Sequence, residues 1–136
     1  MAKILIADSA SITEFILGRF IGHLGFEIVY IRYARDLIAR VKVIMPHIIF
    51  MEAEIAGGKG KKICEYLHMQ PETRHIPIIL LTRIADTNKH NMANWPGVHR
   101  LLRKPLSSRR VMEAIDTIHI ISTQDLKDQL SQSEVG

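Results

Sequence analysis

Pro46-His47-Ile48-Ile49-Phe50-Met51-Glu52 is the stretch on which the fold turns. From His47 to Met51 the run does not alternate between polar and apolar, and it stops on an acid. Three other runs share that design: Lys3-Ile4-Leu5-Ile6-Ala7 before Asp8, Ile76-Pro77-Ile78-Ile79-Leu80-Leu81 before Thr82, and Val98-His99-Arg100-Leu101-Leu102-Arg103 before Lys104-Pro105. Apolar runs of this length read as strands covered on both faces, the condition of a parallel sheet. Ligand chemistry in an open α/β sheet gathers at the carboxyl ends of such strands. Two acids, a hydroxyl and a lysine are therefore expected on one edge.

The segments between these runs read as helices. Ser11 and Glu14 have capping-box spacing and predict a helix start. Ile12, Phe15, Ile16, Phe20, His23 and Leu24 then follow helical spacing and mark a core-facing stripe. Gly22 and Gly25 bracket its exit into a strand over Phe26–Ile31. A second helix is expected from about Ala34 to Val43, ending before Pro46. The glycines of Ala53–Gly60 read as a loop, and Lys61–Met69 as a helix with Ile63 and Leu67 inward. Pro71 to Pro77 forms a connector. Asp86–Trp95 reads as a fourth helical region, weakened by Asn88, Asn91 and Asn94. Ser107 caps a last helix whose Val111, Ala114, Ile115 and Ile118 share a face. The order is (βα)5, and right-handed crossovers make it a doubly wound five-stranded parallel sheet, an α/β fold. Residues 1–121 form the domain; residues 122–136 form a polar tail or linker with Leu126, Leu130 and Val135 as its apolar anchors.

A chain of 136 residues, 47% hydrophobic and 24% charged, has the size and composition of one globular domain. Its apolar runs are too short to span a bilayer, and Asp8 interrupts any signal-peptide pattern, so no membrane partner is expected. A single cysteine, Cys64, forms no intramolecular disulfide and fits a reducing cytoplasm, where it serves as a small apolar filler. The net charge of +4 is spread over scattered residues without a basic stripe, which reads as a solvated surface rather than a nucleic-acid interface. The seven histidines lack paired metal-ligand spacing, and His47 reads as an edge residue. Gly57-Gly58-Lys59-Gly60-Lys61-Lys62 lacks P-loop spacing and reads as a flexible basic loop.

Asp8, an acid at position 52, Thr82 and Lys104-Pro105, each on its own strand end, resemble the response-regulator receiver family (CheY-like) over about residues 2 to 121. The resemblance implies an aspartate at the position of Glu52 that accepts a phosphoryl group from a histidine kinase. It also implies a Mg²⁺ held by the acceptor and two acids after the first strand, a lysine that pairs with the acceptor, a threonine that bonds the phosphoryl group, and a switch aromatic in the fifth strand.

This chain keeps Asp8, Thr82 and Lys104 and departs elsewhere. Ser9 stands at the second acid position, and Glu52 places its carboxylate one methylene, roughly 1.5 Å, further from the backbone. Arg83 follows Thr82 where a small residue is usual, and Leu101 stands at the switch position beside Thr82. Ile55-Ala56 replaces Met-Pro, and Lys59 replaces an acid. Only Asp8 and Glu52 remain as metal ligands, so the Mg²⁺ site is expected to be weak or absent and no cofactor is needed. Lys104, Arg83 and Lys59 are expected to balance Asp8, Glu52 and Glu54 in an ion-pair network. The expected function is a degenerate receiver, not an enzyme, that binds a signalling protein independently of phosphorylation. Its expected contact surface is the face of the fourth helical region, fifth strand and last helix, with Met92 and Trp95 either capping the core or anchoring the partner. The alternatives are a conventional phosphorelay receiver with weak phosphoacceptance and a basic nucleic-acid-binding module. A histidine kinase and a second copy of the chain are further partners the sequence allows.

Overall fold

The apolar runs pair as a sheet whose three central strands bury both faces, while the two edge strands, the run Val98–Arg103 among them, stay partly exposed. In the computed structural model, which describes residues 2–84 and 91–118, the strands are β1 (Lys3–Ala7), β2 (Glu27–Ile31), β3 (Ile48–Glu52), β4 (Ile78–Thr82) and β5 (Val98–Arg103). All neighbours are parallel, in the order β2-β1-β3-β4-β5. Strand order reverses between β1 and β3, which opens the crevice where α/β sheets bind ligands.

Alternate residues divide the core into two layers. Leu5, Ala7, Ile49, Met51 and Leu80 face Leu37 and Val41 of α2 (Leu37–Ile44) and Ile63, Cys64 and Leu67 of α3 (Gly60–Met69). Ile4, Ile6, Phe50, Ile79 and Leu81 face Leu17 and Ile21 of α1 (Ser11–Ile21) and Val111, Ala114, Ile115 and Ile118 of α4, over residues 108–118. Period-two strands meeting helical stripes on both sides give the doubly wound α/β arrangement. Cys64 lies fully inside this core. Burial, helped by Glu65, pushes its thiol pKa up to about 12.

The structure corrects several local expectations. The first helix buries Thr13, Leu17 and Ile21, while Ile12 is 58% and Phe15 62% exposed. The true stripe is offset by one residue from the expected one, a rotation of about 100°. Leu17 and Ile21 interleave with Phe15, Ile16 and Phe20, so the pattern offered two phases. The capping box does not form: Ala10 is the N-cap and has no side-chain cap, with its carbonyl accepting from Thr13 N–H. Glu14 instead receives Arg32 at 2.9 and 3.1 Å. Ser107 does cap α4, accepting from Arg110 N–H at 3.2 Å.

The glycine-rich loop contains a helical turn at Ile55–Gly58, with Ala56 (φ 56°) and Gly57 (φ 68°) in left-handed conformation. Gly60 permits a close approach of the backbone, since a Cβ there would clash with the Ala53 carbonyl oxygen. Within the fourth helical region, residues 91–95 contain a 3₁₀ turn at Met92–Asn94 that buries Met92 and packs Trp95 against the core. The rest of that expected helix, residues 86–90, and the tail 122–136 lie outside the described residues. No helix among the described residues is long and apolar enough to cross a membrane.

Candidate functional site

The strand ends beside the crevice bring Asp8, Glu52, Thr82 and Lys104 to one edge. Asp8 follows β1, Glu52 closes β3, Thr82 closes β4, and Lys104 follows β5. All four are buried or partly buried. Buried polar groups at such an edge must find partners, and these find them within the chain.

Lys104 Nζ donates to Asp8 Oδ2 at 2.7 Å, the side chains being 12% and 0% exposed. The other Asp8 oxygen accepts from Ala10 N–H at 2.8 Å. Glu52 Oε2 accepts from the Ser9 hydroxyl at 3.0 Å and the Ser9 N–H at 3.3 Å. Thr82 Oγ1 donates to Glu54 Oε1 at 2.5 Å and accepts from Ile84 N–H at 3.0 Å. Arg83 N–H also donates to Glu54 Oε1, at 3.3 Å, while Glu54 Oε2 is buried without a partner among the described residues.

Three separate locks result: Lys104 on Asp8, Ser9 on Glu52, and Thr82 with Arg83 N–H on Glu54. The expected network of three cations against three acids reduces to one ion pair. Lys104 chooses Asp8 because that carboxylate is wholly buried and would otherwise lack a counter-charge. Arg83 contributes its backbone, while its side chain and that of Lys59 are exposed. Leu101, opposite Leu80 in β4, packs into the α2–α3 layer of the core.

Two roles were not legible in the chain. Ser9 reads as a lost metal ligand, yet it supplies both donors that hold Glu52. Glu54 reads as surplus negative charge, yet it is the acceptor for Thr82. The only hint was the spacing of Glu52 and Glu54, and the helical turn that follows them decides where Glu54 goes.

Mg²⁺ requires a near-octahedral set of oxygen donors supplied by carboxylates and waters. Here an ammonium and an N–H already occupy the two Asp8 oxygens, and Ser9 occupies Glu52 Oε2. Among the described residues no three His, Cys, Asp or Glu side chains gather as a metal site. With Ser9 in place of a second acid after β1, Asp8 and Glu52 are the two carboxylates at the ligand positions, and both are held by donors of the chain. His47, at the opposite end of β3, accepts from Lys3 N–H at 3.0 Å as an edge residue.

The chain is 25% identical over 91 residues to the polar-differentiation response regulator DivK of Brucella anthropi, covering 67% of this chain and 74% of DivK. The phosphate regulon transcriptional regulatory protein PhoB of Rhizobium meliloti is likewise 25% identical over 91 residues, or 67% of this chain. The chain spans 40% of PhoB's length and 16% of another relative's. The chemotaxis response regulator CheY4 of Vibrio cholerae superposes with a TM-score of 0.77 at 19% identity, covering 87% of this chain and 98% of CheY4. The family model for the response regulator receiver domain matches residues 4–116. This chain therefore belongs to the response regulator receiver domain family, the CheY-like modules of two-component signalling.

Proposed function

We propose that this receiver acts as a protein-interaction module whose state does not depend on an acyl phosphate, and that it catalyses no reaction of its own. The observation that carries this reading is the internal pairing of every group that would meet a phosphoryl group. Lys104 is committed to Asp8, Glu52 to Ser9, and Thr82 to Glu54. Phosphorylation of Glu52 would have to break these contacts while adding roughly two negative charges beside Asp8 and Glu54. Near-attack geometry also suffers from the added methylene of Glu52, since about 1 Å of misplacement can cost about 10²-fold in rate.

In this reading Glu54 permanently supplies the anion that Thr82 would otherwise receive from a phosphoryl oxygen. The receiver domain extends over residues 1–121, and 122–136 serve as tail or linker. The signalling partner docks on the surface that includes β5 and α4, where Arg100, Arg109 and Arg110 are exposed.

Incubation with acetyl phosphate and Mg²⁺, followed by intact mass measurement, tests the proposal. An unchanged mass is expected; a gain of about 80 Da, one phosphoryl group, would overturn it. The competing reading, weak phosphoacceptance at Glu52, rests on Asp8, Thr82 and Lys104 sharing its strand edge. Glu52→Asp combined with Ser9→Asp should gain phosphorylation if residue identity at these two positions is what closes the site.

A further inference from the structure

A second site lies between the segments that follow β2 and β3, and its lining includes none of Asp8, Glu52, Thr82 and Lys104. The 3₁₀ turn Ala34–Asp36 and the start of α2 stand on one side of a groove, and α3 on the other; its volume is about 420 Å³. That volume lies in the range of small-molecule sites. Ile38, Ile63 and Tyr66 form an apolar lining, and Arg35, Lys59 and Lys62 stand around it. Among the described residues no acid lines the groove.

All three cations are exposed, and none takes part in the ion pairs among described residues. Lys59, the N-cap of α3, and Lys62, Ile63 and Tyr66 within it follow i, i+3, i+4, i+7 spacing and so line one side of the helix. At 1.5 Å per residue, Lys59 and Tyr66 are about 10 Å apart along the axis. The ring of Tyr66 is held by Lys42, whose Nζ donates to its hydroxyl at 3.1 Å and lies 5.1 Å from the ring centroid.

These features call for an occupant with two unlike ends. Inorganic phosphate would satisfy the cations and leave the apolar lining wet. A docked helix of three turns would need about 16 Å, more than the axial spacing of about 10 Å between Lys59 and Tyr66. A planar apolar body joined to phosphates matches both the length and the chemistry. We propose that the α2–α3 groove binds a free nucleotide, with its base against Tyr66 and its phosphates among Arg35, Lys59 and Lys62. The site is independent of the strand-end pocket and of its phosphorylation state.

Titration of the ¹⁵N-labelled full chain with ATP, pyrophosphate, adenosine and a single-stranded DNA decamer, followed by amide shifts, tests this. ATP is expected to move amides within 34–38 and 56–66 saturably, with pyrophosphate and adenosine each binding at least about tenfold more weakly. Lys59→Gln with Lys62→Gln should weaken ATP binding at least about tenfold, and Tyr66→Leu severalfold. Both lysines are exposed, so the double variant is expected to keep the wild-type melting temperature. Absence of ATP shifts in the groove, pyrophosphate binding equal to ATP, or tighter binding of the decamer than of ATP would each overturn the proposal.

Discussion

Lys104→Met tests the central lock of the strand-end pocket. At 2.7 Å the Lys104–Asp8 pair gains about 6 kcal/mol of Coulomb energy at an effective dielectric near 20, before desolvation is subtracted. Burying both groups offsets most of that gain, so the net worth of the pair is small. Removing one partner differs in kind. Asp8 is wholly buried and would retain only the Ala10 N–H, which leaves an uncompensated carboxylate. Such a break costs about 3–5 kcal/mol. With a urea m-value of about 2 kcal/mol/M, the unfolding midpoint should fall by about 2 M. Asp8→Asn combined with Lys104→Met removes both charges and should recover most of the loss, giving a coupling energy above about 2 kcal/mol. A Lys104→Met cost below about 1 kcal/mol, or a double variant as unstable as the summed singles, would refute the argument.

Thr82→Val removes the bond to Glu54 and the acceptor for Ile84 N–H while keeping the shape. It should cost about 2–3 kcal/mol by denaturant unfolding, and Thr82→Ser should retain most of the stability. In α1, Leu17→Ala should cost about 2–5 kcal/mol and Phe15→Ala under about 1, and the reverse order in thermal melts would restore the phase first expected from sequence. Burial, with Arg100 adjacent, holds the His99 imidazole below its ordinary pKa. The unfolded chain therefore binds this proton more readily than the folded one, and stability should fall as pH drops through the ordinary histidine range. His99→Leu should flatten the dependence between about pH 7 and 5; an unchanged slope would remove His99 as its source.

The parallel sheet and the convergence of Asp8, Glu52, Thr82 and Lys104 follow from the chain alone, while the strand ends shift by one or two residues. Three apolar runs and a fourth broken by His99 and Arg100, all ending in polar groups, leave few ways to build the sheet. The inward faces of α3 and α4 were legible for the same reason: Ile63 and Leu67, and Val111, Ala114, Ile115 and Ile118, each lie on one face at helical spacing. The first helix was not, because apolar residues occupy two adjacent stripes and only docking on Ile4, Ile6 and Phe50 selects Leu17 and Ile21. Partner choice inside the pocket was also beyond the sequence. Charges could be counted, but which oxygen meets which donor depends on ångström-scale placement across segments as much as 96 residues apart. Only the packed sheet sets Lys104 on Asp8, and only the turn that follows Glu54 sets a carboxylate on Thr82. The chain determined which groups meet; the tertiary structure decided that each is already bound to another.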